Sequence, residues 1–127
     1  MKLRIKGNSL RLRVSRSEVA RLLAGECLKD TIHFAPEASA KFTYALQQEP
    51  LVSRTTVQYA TNKVTILIPA DRATAWGLTD QVGIAEDISL GDIGTLALLI
   101  EKDFACLDRS DEDNQDTFPN PSAGVTC

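Results

Sequence analysis

The sequence predicts a small α+β domain, mostly β, in which two ββαββ repeats interlace into a pseudo-two-fold barrel with a C-terminal acidic tail. Three observations lead there. Residues 2–14 alternate apolar and charged side chains around Gly7-Asn8-Ser9; a short helix with a capping signature follows; and the same order of elements recurs about 54 residues later. The chain has 127 residues, is 43% hydrophobic and 24% charged, and is expected to form one domain over residues 1–127. Only 6% of its residues are aromatic, so the core must be built mainly from Leu, Ile, Val and Ala.

In the opening stretch Leu3 and Ile5 point one way, and Lys2, Arg4 and Lys6 the other. After the turn, Leu10, Leu12 and Val14 alternate with Arg11 and Arg13. Two period-2 runs around a turn read as a β-hairpin with one apolar and one cationic face. Ser15-Arg16-Ser17-Glu18 is an S-x-x-E capping box. Val19, Leu22 and Leu23 then recur at helical spacing, with Gly25 as the left-handed stop, so a helix is expected over about 16–24. Strands follow at Thr31–Phe34 and Lys41–Leu46, on either side of a loop at Pro36.

The second half repeats this order. Thr56–Ala60 and Val64–Ile68 read as strands around Thr61-Asn62-Lys63, and Pro69 and Asp71 suit the start of a helix ended by Gly77. Val82–Ile84 reads as a short strand and Thr95–Ile100 as a buried one, with Gly91 and Gly94 in the loop between them. Shifted by 54 residues, Asn8 falls on Asn62, Leu10 on Val64, Val14 on Ile68, and Phe42, Tyr44 and Leu46 on Leu96, Leu98 and Ile100. Repeat 1 therefore spans about 2–47, repeat 2 about 56–101, and the acidic tail 103–127. The expected core is Leu3, Ile5, Leu10, Leu12, Val14, Leu22, Phe42, Tyr44, Leu46, Val64, Ile66, Ile68, Trp76, Leu96, Leu98 and Ile100. The alternative arrangement is an open antiparallel sheet with helices on one face.

KGNSLRLRVSRSEVARLL resembles the opening of AbrB/MazE-like swapped-hairpin proteins, and YATNKVTILIPADRATAW, with its Ile68-Pro69, resembles it too. The resemblance implies units that cannot close a core alone and interlace in pairs, as in cradle-loop barrels. It also implies DNA binding through the hairpin, here by Arg4, Arg11 and Arg13. Along its full length the chain resembles an uncharacterised bacterial family known as a domain of unknown function. The residues that carry this likeness are MKLRIKGNSLRLRVSRSEV and EKDFACLDRSDEDNQDTFPNP. That family brings no activity with it.

Charge is polarised along the chain. The first 24 residues hold seven of the 14 basic residues against Glu18 alone, whereas residues 101–127 hold seven acids against Lys102 and Arg109. Lys2, Arg4, Lys6, Arg11 and Arg13 are the candidate nucleic-acid surface. Against that reading stand an overall charge of −3 and the neutral Gln58, Thr65 and Leu67 at the equivalent positions of the second half. The tail itself is a second candidate occupant of the basic face. Cys106, Asp108, Asp111, Asp113 and Asp116 are the candidate metal ligands, although Asp116 stands where a calcium-binding EF-hand loop requires Gly. Phe118-Pro119-Asn120-Pro121 is expected to dock as an anchor, since Phe118 is the one large apolar side chain there to bury.

The sequence contains no GxSxG, Gly-rich phosphate loop or HExxH. His33 with Cys27 or Cys106 is the one nucleophile–base combination on offer, and the carboxylate pairs Glu86-Asp87 and Asp111-Glu112-Asp113 read as solvated loops. Cys27, Cys106 and Cys127 form no disulfide or zinc pattern and are expected to be reduced thiols, with Cys127 mobile. No apolar run approaches the ~20 residues of a membrane span, and the start lacks the apolar region of a secretory signal. The expectation is a cytoplasmic, non-catalytic binding module with no cofactor, monomeric or weakly homodimeric. An unknown protein is its first candidate partner and nucleic acid the second; metal binding by the tail is the third reading.

Overall fold

The computed structural model describes residues 1–104 and 116–119. Its elements are β1 (Lys2–Lys6), β2 (Ser9–Val14), α1 (Arg16–Leu23), β3 (Leu28–His33), β4 (Lys41–Glu49), β5 (Thr56–Ala60), β6 (Lys63–Pro69), α2 (Ala70–Gly77), β7 (Gly83–Ser89) and β8 (Thr95–Lys102), with a 3₁₀ turn at Gly91–Ile93 before β8. The chain is mostly β with two short helices. The strands form two four-stranded sheets, β1-β2-β8-β7 and β3-β4-β6-β5. Neither ladder closes on itself, so the described strands make two open sheets in place of the expected closed barrel.

Each sheet joins two antiparallel hairpins through a central parallel pair, β2 with β8 and β4 with β6. Parallel neighbours need a long connection. Here α1 carries the chain from β2 in one sheet to β3 in the other, and α2 carries it back from β6 to β7. The hairpin tips differ in chemistry. Gly7 takes φ 56°, the glycine-first form of a two-residue turn, whereas Thr61 and Asn62 take φ 51° and 59°.

Helix α1 starts as its sequence predicts. The Ser15 hydroxyl accepts from the Glu18 N–H while the Glu18 carboxylate accepts from the Ser15 N–H, and Gly25 beyond its end takes φ 95°. The core lies between the sheets and helices. Leu12, Val14, Ile84, Leu98 and Ile100 come from one sheet and Leu28, Tyr44, Leu46, Val64, Ile66 and Ile68 from the other; Val19, Leu22, Ala73 and Trp76 come from the helices. Trp76 is wholly buried and donates its indole N–H to the Val82 carbonyl at 3.1 Å, satisfying the one polar atom such a burial strands.

Three expectations are corrected. Ile5 is 62% exposed, because β1 is an edge strand and Ile5 lies one pleat nearer the hairpin tip than Leu3, which does pack on the core. Leu3, Leu10, Phe42 and Leu96 are only half-buried. Glu86 and Asp87 are not in a loop: β7 runs on to Ser89, with Ile84, Glu86 and Ile88 on one side of it. The β7–β8 ladder holds Glu86 opposite Leu98, and its carboxylate pairs with Arg54 at 2.9 Å and Arg72 at 3.6 Å. Helix α2 does end at Gly77, as its sequence predicts.

Candidate functional site

The outward face of the β1–β2 hairpin gathers the five basic candidates. Lys2 lies opposite Arg13, Arg4 opposite Arg11, and Lys6 opposite Ser9. Like charges directly across a ladder repel, so this face needs counter-charge. Part of it comes from β8: Glu101, the ladder partner of Arg13, receives the Arg13 Nε at 3.0 Å and the Arg11 Nε at 3.1 Å. Lys2 reaches Asp103 at 3.1 Å. Arg4 and Lys6 have no acidic partner among the described residues. With Ser9 and Arg11 they line a shallow open cleft.

A polar cleft adjoins this face, lined in part by Lys2, Arg13, Ser17, Glu18, Asp103 and Asp116. Inside it the Met1 ammonium lies 2.6 Å from the Glu18 carboxylate. Burial alone would raise the Glu18 pKa. Hydrogen bonds from the Met1 ammonium and from the backbone and hydroxyl of Ser15 outweigh it and hold the carboxyl below its ordinary range. Asp116 sits at the start of α1 and accepts from the Ser17 N–H at 3.0 Å and from the Ser17 hydroxyl. The Asp116 carbonyl also accepts from the Arg16 N–H at 3.2 Å. Those Ser17 bonds lower the Asp116 pKa, and a carboxylate there complements the helix dipole.

Asp116 is thus the one metal candidate that is placed, and its carboxylate serves α1. Cys106, Asp108, Asp111 and Asp113 lie outside the described residues, as do Asn120, Pro121 and Cys127. Among the described residues no group of three or more His, Cys, Asp or Glu side chains is arranged to hold a metal ion. Cys27 precedes β3 and His33 ends it. An extended strand of that length holds the two about 20 Å apart, so they do not meet as nucleophile and base.

Phe118 docks as expected. Its N–H donates to the Asp103 carbonyl at 2.8 Å, and its ring meets Phe104 edge-on at 6.1 Å. The Lys102 ammonium lies 5.4 Å from the Phe118 ring centre. Sequence reasoning passed over Lys102, yet its position carried a signal. Leu98, Ile100 and Lys102 share the inward phase of β8, so a cation continues a core row.

Among the described residues no helix is long and apolar enough to cross a membrane. A family model described as a family of unknown function, DUF7009, matches residues 1–122. No curated protein and no solved structure matches the chain. The chain belongs to the DUF7009 family.

Proposed function

We propose that this member of the DUF7009 family is a non-catalytic binding module that presents the outward face of β1–β2 to an acidic segment of a protein partner. The observation that carries the reading is the pair Arg4 and Lys6, cations on an edge strand without an acidic partner among the described residues.

The second reading is an AbrB/MazE-like nucleic-acid-binding or antitoxin-type protein built from two interlaced repeats. Pairing registers support the repeat. Ser9 lies opposite Ala97; moving the first on by 54 residues and the second back by 54 gives Lys63 and Thr43, which are also ladder partners. Lys2 opposite Arg13 becomes Thr56 opposite Leu67 in the same way. The positions of the second hairpin equivalent to the cations of the first are Thr56, Gln58, Thr65 and the buried Leu67, so the phosphate footprint would be one-sided. That favours the protein partner. Metal binding by Cys106, Asp108, Asp111, Asp113 and Asp116 is the third reading; it requires Asp116 to leave Ser17.

Fluorescence anisotropy of a labelled Glu/Asp-rich peptide and of a labelled DNA duplex, each over a salt series, tests this. The expected result is peptide binding that weakens with salt and is lost in Arg4→Glu/Lys6→Glu. Tighter duplex binding with a steep salt slope would replace the first reading with the second. No binding of either probe at low salt would end both.

A further inference from the structure

We propose that the cleft between the turn after α2 and the returning segment 116–119 is a binding site for a small apolar carboxylate, held by the Lys102 ammonium. This site lies apart from the hairpin face and does not depend on it.

The cleft measures about 700 Å³, within the range of ~300–1,000 Å³ typical of small-molecule sites. Leu78, Phe104 and Phe118 supply apolar walls, Thr79 and Asp80 the rim, and Lys102 the inner end. Leu78 is 72% exposed, so the mouth is open to solvent.

Lys102 is only 6% exposed. Its ammonium donates one hydrogen bond, to the Thr79 carbonyl at 2.6 Å, and makes no ion pair among the described residues. A lysine ammonium has three donors, and a buried charge is normally paired with an opposite one. The Phe118 ring at 5.4 Å, the carbonyl end of α2 and the attraction of Asp80 on the rim offset only part of that cost. Burial pulls the Lys102 pKa down, against the pull of Asp80.

A purely structural role for Lys102 is to hold the Thr79 carbonyl. At the end of α1 a comparable role is filled without charge by Gln48, toward the end of β4, which donates its amide to the carbonyls of Leu22 at 3.1 Å and Leu23 at 3.3 Å. A neutral amide thus suffices to hold such carbonyls, and holding Thr79, in the turn past the α2 cap Leu78, does not by itself call for the charge on Lys102. A carboxylate seated against it, with an apolar body along Phe104 and Phe118, would complete the pairing.

The test is a two-dimensional NMR titration of the full chain with 3-phenylpropionate and, separately, with its primary amide. The carboxylate should bind about tenfold more tightly than the amide, the effect of one charge-assisted hydrogen bond, with shifts centred on Leu78, Lys102 and Phe118. Lys102→Gln keeps a donor for Thr79 and should bring carboxylate binding down to the amide level. Leu78→Asp, at an exposed wall position, should weaken both ligands through the lost apolar contact, and the carboxylate more through the added negative charge. Equal binding of acid and amide, unchanged binding in Lys102→Gln, shifts confined to Arg4 and Lys6, or no binding at all would each overturn the proposal. The Arg4→Glu/Lys6→Glu variant should bind 3-phenylpropionate as wild type does, so the two readings fail separately.

Discussion

Arg13 on β2 and Glu101 on β8 are ladder partners, and their side chains meet at 3.0 Å on the outward face of the sheet. Arg11 reaches the same carboxylate oxygen at 3.1 Å. One acid on β8 thus tempers two of the five cations contributed by the hairpin. Glu101→Gln should therefore strengthen retention on an anionic column and steepen its salt dependence. Its stability cost should stay below about 1 kcal/mol, since the arginines are partly solvated. Unchanged retention would mean that Glu101 does not mask this face.

Glu18 links the start of α1 to the Met1 ammonium. Its folded pKa lies below the unfolded value of 4.5. Between those two values the unfolded chain binds more protons, so this contribution to stability is whole above pH 4.5 and is lost as pH falls through the folded pKa. Glu18→Gln should cost about 1 kcal/mol at neutral pH, on the scale of a helix cap with its charge. Thermal melts from pH 7 downward should show the gap to wild type closing below 4.5.

The two hairpin tips make opposite predictions. Thr61 is β-branched and held at φ 51°, where only glycine and, less readily, Asn or Asp sit without strain. Thr61→Asn should raise stability by roughly 0.5–1 kcal/mol, read as a shift in denaturant midpoint. Gly7→Val, at φ 56°, should lower it by roughly 1–2 kcal/mol.

Two glycines separate backbone from side-chain crowding. A Cβ on Gly83 would lie 2.9 Å from the Ile100 carbonyl oxygen, part of the β7–β8 ladder that cannot yield locally. Gly83→Ala should cost about 1–3 kcal/mol. At Gly77 the same addition would meet Leu23 Cδ1 at 2.6 Å, the flexible end of a half-buried side chain that can turn aside. Gly77→Ala should fall within about 1 kcal/mol of wild type, the scale of the helix-propensity gain it brings. Equal losses at the two positions would contradict this distinction.

Local chemistry was legible in the sequence wherever neighbours along the chain decide the outcome. The alternation through Leu3, Ile5, Leu10, Leu12 and Val14 announced the first hairpin, and Ser15 with Glu18 announced the start of α1. Trp76 and Phe118 were legible because each is a large apolar group with a place to dock. Lys102 was read only as part of a charge balance, although it continues the inward row of Leu98 and Ile100.

The sequence by itself therefore determined the order of strands, turns and helix starts, though not the full length of β3, β4 and β7, because pleat parity, capping hydrogen bonds and turn conformations act over a few residues. Tertiary structure decided what lies beside what. Parallel pairing of β2 with β8 brings Glu101 to Arg13 across 88 residues of chain, and no local period encodes such a meeting. It also decided that Ile5 ends on an exposed edge, that Glu86 lies in the β7–β8 ladder where Arg54 and Arg72 pair with it, and that Lys102 is buried beside Thr79. Each of these follows from the packing of elements distant in sequence, where burial and charge compensation are settled only once the sheets and helices have come together.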